Sequence, residues 1–450
     1  MLKSSNQPSQ NPLAILNPHT AGIDIGSMLM MVSYTDASGQ QKLLESTGFS
    51  EDLAKLAKTL KSEGITDVAM EGTGVYWMAV YEVLEQEGLK VTLTNPRHFK
   101  NVVAQKTDVK DCQWLHQLHA HGLLRSSHIA PELYRELKTY IHERNILQKM
   151  KSDTLNRIHK ILTQMNIKVQ HVISDIEGVA GMKLLRGIAS GITDPENLLS
   201  LIDTSKLKAT TAELLQSLKG FHKEQYTVVL QNQLEVFDFF KVKMKSYELL
   251  IEDVLKKMMP VDENGSIPKI KKKNSYTRKN EYTVNLKAYL EHILGVDVTA
   301  VDGLKEISVL EIMSVTGTDM TKWRTPEHFT SWLNLSPRPK ISGGKLLGHE
   351  RRFTNNRATQ AFRLAAQTMW QNKGPLGQLY KKLAVRKGSK KAIKAIARKI
   401  AVIFYKMVKE KCSYDKTRLE GNIEQQRARR IARLMKEASK YGYDLQPVIL

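Results

Sequence analysis

Four carboxylates stand at positions where a protein can bind a metal ion. Asp24 lies within the apolar segment GIDIG, and Glu71 ends the short apolar segment DVAME. A carboxylate inside an apolar strand is costly unless it is paired or binds a cation. Asp108 and Asp111 are three residues apart in KTDVKDCQWL, so both lie on one face of the helix predicted to begin there, where a cation between them would offset their repulsion. An N-cap role for Asp108 is the alternative.

These four positions together form a pattern. A strand aspartate, a strand-end glutamate and a helical D-x-x-D are typical of RNase H-like sites for phosphoryl transfer. Their hard oxygen ligands suit Mg²⁺, and two such ions about 4 Å apart can stabilise both the attacking and the leaving oxygen. The sequence therefore predicts a Mg²⁺ site made by Asp24, Glu71, Asp108 and Asp111.

The helix predicted after Asp108 also offers zinc ligands. Cys112, His116 and His119 recur at helical spacing on one face, which is permissible for zinc. A fourth ligand would have to come from a distant segment of the chain. A water-exposed helix face is the simpler interpretation of these three residues.

A second candidate group surrounds Ser342, which precedes Gly343 and Gly344 in a predicted loop. The glycines allow the backbone to approach a ligand closely, and cations nearby would stabilise a phosphate under attack by a serine hydroxyl. The framing cations are Arg338, Lys340, Lys345, Arg351 and Arg352. Spacing alone favours the alternative, a flexible Ser-Gly-Gly turn without a chemical role.

Positive charge is concentrated in the C-terminal part of the chain. Residues 331–450 contain 28 Lys and Arg against 7 Asp and Glu, whereas the first 330 residues contain 40 and 39. Such a block is typical of a surface for nucleic acid, with a solvated basic tail or a patch for acidic lipid as alternatives. Within it, a helix predicted from about Asn356 carries Arg357 and Arg363, which we expect to follow a phosphate backbone.

The N-terminal segment must position the acids, and its pattern alternates strands with helices. We predict two strands around a turn over 21–34, a helix over 51–62, a strand over 67–71, a helix over about 75–87 and a strand over 89–94. This alternation predicts an α/β domain with a mixed sheet.

Helices dominate the predicted structure of the remaining chain. From Pro131 to about Ile173 the sequence predicts a helix of more than 30 residues without internal Gly or Pro, which is typical of a coiled-coil arm. A second helical series over about 195–259 leads to a polar, turn-rich segment over 260–279. Residues 285–371 are predicted to be mostly helical around a Gly/Pro-rich loop.

The composition excludes several classes of protein. A chain of 450 residues with 41% hydrophobic and 25% charged residues has the balance of a globular protein of two to four domains. It lacks both the apolar run of roughly 18 residues that a membrane-spanning helix needs and a signal-peptide pattern, so we expect a cytoplasmic protein. Two cysteines exclude a disulfide scaffold, and the P-loop motif for nucleotides is absent.

Ten short segments, taken in their order, resemble the DEDD transposases of insertion sequences. These transposases are serine-dependent recombinases that are guided by a bridge RNA. The segments are AGIDIGS, MEGTGVYW, NPRHFKN, KTDVKDCQWL, HGLLR, LGVDVTAVDG, GTDM, HFTSWLNLSP, ISGGK and RATQAFRLAAQ. Their combination is specific and extends from about residue 20 to near the C-terminus. After ISGGK, this chain has the segment LLGHERRFTNN where the family has a glycine-rich spacing. Contacts that the family makes with that loop are therefore not transferred to this chain.

The resemblance implies an α/β RNase H-like (RuvC-type) N-terminal domain, a helical coiled-coil arm and a mainly α C-terminal transposase domain. The implied divisions are a disordered leader over 1–19, the RNase H-like DEDD domain over 20–130, the helical coiled-coil region over 131–259 with return helices that can pack on the first domain, a basic linker over 260–284, the transposase domain with the serine over 285–395, and a basic helical tail over 396–450.

The resemblance also implies a reaction and partners. The four acids would hold Mg²⁺ beside Ser342, and the serine would become covalently joined to a cleaved DNA end. The implied partners are double-stranded donor and target DNA, the bridge RNA, and further copies of the chain as a homodimer that assembles into a tetramer. The expected location is the bacterial cytoplasm, in association with the nucleoid and with no membrane.

Two other interpretations remain open at this point. A Mg²⁺-dependent nuclease or Holliday-junction resolvase would use the same acids with water, in place of Ser342, as the nucleophile. A non-catalytic protein that binds RNA or DNA would use its acids only for folding. A DNA end covalently linked to the protein would exclude the nuclease or resolvase and favour a recombinase. Loss of the reaction in Asp24→Asn and Asp111→Asn would exclude the non-catalytic binding protein.

Overall fold

The chain divides into two units, Met1–Ile129 and Ala130–Leu450. In a computed structural model, residues 14–72, 74–95, 107–261, 267–271, 280–350 and 356–446 are described, residues 418–427 for their backbone only. No helix in these ranges combines the length and the apolar character that crossing a membrane requires.

A five-stranded mixed sheet organises the first unit. The strands are β1 (Thr20–Ile25), β2 (Leu29–Thr35), β3 (Gln41–Thr47), β4 (Asp67–Glu71) and β5 (Lys90–Thr94), in the order β3-β2-β1-β4-β5. β1, β2 and β3 are antiparallel neighbours, whereas β4 and β5 run parallel to β1. The predicted α/β class and mixed sheet are confirmed, but β3 was not predicted. It is an edge strand with mostly exposed side chains, so it lacks the apolar alternation that marks a strand.

One face of this sheet is apolar. Ile23, Val68 and Met70 are fully buried there and pack against two helices, α1 (Ser50–Ser62) and α2 (Trp77–Gln86). The apolar residues of α1 recur at helical spacing and point to the sheet, as Leu53, Leu56, Ala57 and Leu60. The core of the first unit lies on this side.

The opposite face of the sheet is covered by α3 (Asp108–Ala120). Gly22 of β1 points to this helix, and a Cβ atom at that position would lie 2.5 Å from the carbonyl oxygen of Cys112 and closer still to the backbone nitrogen of His116. The helix and the strand therefore touch through their backbones. Only glycine allows that approach.

Two long helices run antiparallel in the second unit, α4 (Glu132–Gln164) and α9 (Glu224–Met258). Arg144 pairs with Glu248, and Lys151, further along α4, lies over the ring of Phe237, which is earlier in α9. The buried residues of α9 recur every three or four positions along the face towards α4.

Four short helices pack on the far end of this pair, where α4 ends and α9 begins. They are α5 (Val169–Val172), α6 (Val179–Ala189), α7 (Pro195–Ser200) and α8 (Thr211–Leu218). Their apolar residues form one core with the adjoining turns of α4 and α9. A separate core contains the start of α4 and the end of α9.

Six further helices surround this second core. They are α10 (Leu286–Leu294), α11 (Glu306–Thr316), α12 (Pro326–Trp332), α13 (Arg357–Gln367), α14 (Pro375–Lys387) and α15 (Ser389–Glu410). The last helix, α16 (Thr417–Lys440), contributes no side chain to this core in the described part of the chain. Aromatic rings at Trp323, Phe329, Phe362 and Phe404 pack against one another at the centre of this core. The predicted helical character of the chain after the sheet is confirmed. A single hairpin, β6 (Pro339–Ser342) with β7 (Lys345–His349), accompanies the helices in the described ranges.

A buried ion pair joins α4 to α9. Arg144 donates to the carboxylate of Glu248 at 2.7 and 2.8 Å, and both side chains are almost completely buried. The guanidinium also lies 3.7 Å from the centre of the Tyr282 ring. The second oxygen of Glu248 accepts from the backbone nitrogen and hydroxyl of Thr283, at 2.9 and 2.7 Å. The segment that leads into α10 is therefore fixed to both long helices.

Candidate catalytic carboxylates and serine

Asp24 and Glu71 lie side by side at one edge of the sheet. β1 and β4 are parallel, and their register pairs Ile23 with Met70, so the next pair is Asp24 with Glu71. Side chains alternate between the faces of a strand. Asp24 is two residues beyond Gly22 and therefore faces α3, and Glu71 shares that face. We call this position, at the carboxyl ends of β1 and β4, the acidic edge.

The first turn of α3 lies at the acidic edge. At the other end of the helix, Nε2 of His119 is 2.8 Å from Oδ1 of Asp67, the first residue of β4. α3 therefore runs antiparallel to β1 and β4, and its N-terminal residues lie where those strands end. Asp108 and Asp111 are both in that first turn. The structure thus brings all four predicted acids to one edge of the sheet.

The thiol of Cys112 lies close to two of these acids. It is completely buried, and burial together with the charges of Asp24 and Asp111 raises the pKa of Cys112 to about 11. Because the charges of both Asp24 and Asp111 act on this one thiol, the strand acid and the helix acid lie on the same side of the sheet, near Cys112. Burial and the two carboxylates favour the protonated thiol, and Cys112 packs on the sheet side of α3.

The N-terminus of α3 is capped by Thr107. Its hydroxyl oxygen accepts a hydrogen bond of 3.3 Å from the backbone nitrogen of Lys110. The alternative that Asp108 caps this helix is therefore wrong, because Asp108 is the first residue of the helix itself. Asp108 is exposed and Asp111 is half-buried. Both acids are placed where the positive end of the helix dipole stabilises negative charge.

The four acids share this edge, but they are not gathered into one compact set of ligands in the described ranges. In the ranges that the structure describes, no group of three or more His, Cys, Asp and Glu side chains is arranged to hold a metal. The donor atoms at the acidic edge are carboxylate oxygens, which Mg²⁺ prefers. Beside Glu71, the hydroxyl of Thr94 is buried without a hydrogen-bond partner in the described part of the chain. These residues fit a hydrated divalent cation in chemical type.

The prediction that Cys112, His116 and His119 form a water-exposed face of α3 is wrong. Cys112, His116 and His119 are all buried, because this is the face that packs on the sheet. His116 lies 3.2 Å from the hydroxyl of Ser33, and burial, helped by the neighbouring His119, lowers the pKa of His116 to about 4. The neutral imidazole is thus a packed polar group. The zinc alternative has no support in the described ranges.

Asp67 anchors the C-terminal end of α3. Its carboxylate contacts His119 and also accepts from Nζ of Lys90 at 2.5 Å and from the hydroxyl of Thr92 at 3.3 Å. Burial alone would raise the pKa of Asp67, but the hydrogen bonds and charges of His119 and Lys90 outweigh it and lower the pKa. The ionised carboxylate therefore fixes the helix that carries the two catalytic candidates. Sequence reasoning missed this contact because Asp67 and His119 are far apart in the chain.

Replacing Gly22 by alanine is expected to displace α3. The new methyl group would overlap backbone atoms of Cys112 and His116, which cannot rotate away. We expect a loss of about 1–3 kcal/mol in the free energy of unfolding and weaker binding of Mn²⁺ at the acidic edge, measured by thermal unfolding and calorimetry. Gly48→Ala is the matched control, because its methyl group would be 3.4 Å from the nearest atom. Equal stability of the two variants would contradict the close packing.

Ser342 lies on a β-hairpin. It is the last residue of β6 and pairs with Lys345 across the two-residue turn of Gly343 and Gly344. Both glycines have positive φ angles, +53° and +74°, as the tight turns of hairpins require. The prediction that Ser342 lies in a loop is therefore wrong, because Ser342 ends a strand and the two glycines form the turn of the hairpin. Ser342 itself is exposed.

The hairpin also exposes apolar side chains. Ile341, Leu346 and Leu347 are exposed by 60–71%. A two-stranded hairpin is marginally stable in water by itself, and exposed apolar patches commonly mark contact surfaces. The serine is thus carried on an element suited to contact with a larger partner.

The predicted nucleic-acid-binding cations are distributed around this hairpin. Lys340 and Lys345 are exposed on its strands, and Arg363 is exposed on α13. Arg338, at its base, donates to the hydroxyl of Ser331 at 3.4 Å. Arg357 begins α13 and hydrogen-bonds His142 of α4. Arg351 and Arg352 lie outside the described residues. A role in binding nucleic acid stays a prediction for all of them.

Two family models match the chain. Residues 21–167 match the DEDD model of the IS110 transposases, described as a transposase, and residues 297–381 match a model described as transposase of the IS116/IS110/IS902 family. The first match contains all four acids, and the second contains Ser342. No curated protein matches the chain.

The two matches define the chain as an enzyme that acts on DNA. It belongs to the DEDD transposases of insertion sequences, which confirms the resemblance of its motifs. A DEDD transposase domain implies a divalent metal ion.

Proposed function

We propose that this transposase is a site-specific recombinase that moves its own insertion sequence through a covalent phosphoserine. The first unit is its RNase H-like domain, of the RuvC type, and Asp24, Glu71, Asp108 and Asp111 are its metal ligands. The observation that carries the proposal is the acidic edge, where two strand ends and the first turn of α3 meet. The common edge supports a joint role for acids that are far apart in sequence.

Ser342 is the nucleophile of the proposed reaction. Its hydroxyl oxygen forms a bond to a backbone phosphorus while the bond from that phosphorus to a deoxyribose oxygen breaks, and the serine proton leaves to solvent or a base. Mg²⁺ bound by the four acids would polarise the phosphate and stabilise the leaving oxygen. The phosphoserine conserves the energy of the broken bond, so the reverse attack by a DNA hydroxyl rejoins strands without ATP. The exposed position of Ser342 supports this role.

The basic C-terminal part of the chain binds nucleic acid in this proposal. The cations Arg338, Lys340, Lys345, Arg351, Arg352, Arg357 and Arg363 contact phosphates of donor and target DNA or of a bridge RNA. The RNA would select the DNA sequence by base pairing, and the protein would bind the nucleic acids through their helical shape and phosphate backbone. Dimers that assemble into a tetramer would hold the DNA duplexes in the bacterial cytoplasm, at the nucleoid.

Protein-linked DNA is the expected product of cleavage. End-labelled donor DNA, incubated with the purified protein, its copurifying RNA and Mg²⁺, is expected to yield a species of reduced mobility on a denaturing gel. Protease should convert this species to a faster band, and EDTA should prevent its formation. Sequencing of the copurifying RNA is expected to identify a structured transcript from the flanks of the gene. Cleavage that leaves only protein-free ends would favour a nuclease or resolvase that uses water.

A further inference from the structure

The hydroxyl of Thr94 is a buried polar group without a partner in the described part of the chain. Thr94 is the last residue of β5 and is 0% exposed, and no described atom hydrogen-bonds its Oγ1. Its backbone carbonyl oxygen is satisfied, since it accepts from the nitrogen of Gly72 at 3.0 Å. Burial of an unpaired hydroxyl costs free energy that a valine of the same shape would avoid. Such a group needs an explanation.

Thr94 lies at the acidic edge. The register of β4 and β5 pairs Thr94 directly with Glu71. Thr92, two residues earlier on the same face, hydrogen-bonds Asp67, which in turn contacts His119 of α3. Thr94 therefore lies on the α3 side of the sheet, at the carboxyl end of β5 next to the end of β4. The residue with the unsatisfied hydroxyl is therefore the cross-strand neighbour of one of the four acids.

We propose that Thr94 is a further residue of the metal site, whose hydroxyl accepts a hydrogen bond from a water molecule in the hydration shell of the ion. The proposal rests on the proposed function, which assigns the ion to the acidic edge. Mg²⁺ retains several of its waters when proteins bind it, and these waters need acceptors. Partners beyond the direct ligands commonly change metal affinity by 10–100-fold. A threonine oxygen supplies such an acceptor without adding charge.

Thr94→Val is expected to weaken metal binding without lowering stability. Valine preserves the shape of the side chain and removes only the hydroxyl. We expect affinity for Mn²⁺, followed by its EPR signal in the absence of DNA, to fall about 10-fold, while the melting temperature of the metal-free protein stays equal or rises. Thr94→Ser keeps the hydroxyl and should retain the affinity of the natural protein. A purely structural hydroxyl would give the opposite result, a lower melting temperature with unchanged Mn²⁺ affinity.

Two further variants separate this inference from the proposed function. Thr92→Val removes a neighbouring hydroxyl that bonds Asp67, so it should lower the melting temperature and leave Mn²⁺ affinity within about 2-fold. Asp24→Asn should abolish specific Mn²⁺ binding. If Asp24→Asn abolishes binding and Thr94→Val binds as the natural protein does, the role of Thr94 is wrong and the metal site stands. If Asp24→Asn binds Mn²⁺ normally, the metal site of the proposed function is itself wrong.

Discussion

Replacing Ser342 by alanine is expected to abolish both strand exchange and the protein-linked DNA end. The variant lacks the oxygen that forms the bond to phosphorus, and loss of a catalytic nucleophile lowers turnover by about 10⁴-fold or more. Ser342 is exposed at the end of β6, and the hairpin turn depends on Gly343 and Gly344, so the fold should be unchanged. The measurement is the yield of recombined DNA and of the covalent species on denaturing gels.

Binding provides the control for this variant. Affinity for donor DNA and for RNA should stay within about 2-fold of the natural protein, because phosphate contacts come from cations and not from this hydroxyl. Ser389→Ala, which changes another exposed serine in the basic part of the chain, should recombine normally. Strand exchange that persists in Ser342→Ala would exclude the phosphoserine mechanism.

Replacing Arg144 by methionine should produce a large loss of stability. It removes the partner of Glu248 at a position where both side chains are 5% exposed or less. Breaking a buried pair from one side leaves an uncompensated charge and costs about 3–5 kcal/mol. The hydrogen bonds from Thr283 remain and would compensate only part of this. Urea unfolding followed by circular dichroism measures the effect.

An exposed ion pair on the same long helix is the matched control. Arg186 of α6 pairs with Asp238 of α9 at 2.8 Å, but the two side chains are 54% and 42% exposed. Exposed pairs contribute about 0–1 kcal/mol, so Arg186→Met should change stability little. The double variant Arg144→Met with Glu248→Gln should recover part of the loss, since no buried charge is left unpaired. Similar losses for Arg144→Met and Arg186→Met would contradict the importance of burial.

Sequence patterns predicted most elements of the fold but missed those with little burial. The strands that contain Asp24 and Glu71 are apolar and bounded by turns, so the sequence predicts them. β3 and the β6–β7 hairpin expose most of their side chains, and periodicity cannot mark a strand that has no buried face. The Gly-Gly pair between two short β-prone segments was the available signal for the hairpin. The coiled-coil arm within residues 131–259 stays a prediction.

The sequence predicts which residues belong to the candidate site, but it does not predict which of them contact one another. The apolar strands around Asp24 and Glu71 identified these two acids, because a carboxylate in such a segment requires a partner. The spacing of three residues identified Asp108 and Asp111, since it places both on one face of a helix. The contact of His119 with Asp67 and the position of Thr94 depend on strand register and on the placement of α3, which local patterns do not determine. Strand-end location was the only sequence signal for Thr94. The same limit explains why a buried helix face was interpreted as exposed.

The arrangement of two apolar cores along α4 and α9 makes this region modular. The helices α5 to α8 share their core only with the far ends of the long pair, while Arg144, Glu248 and the other helices belong to the near end. Deleting seven residues from each long helix would preserve the mutually facing sides, because seven residues are close to two full turns. Evolution or a protein engineer can therefore adjust the distance between the two cores without redesigning the residues of either core.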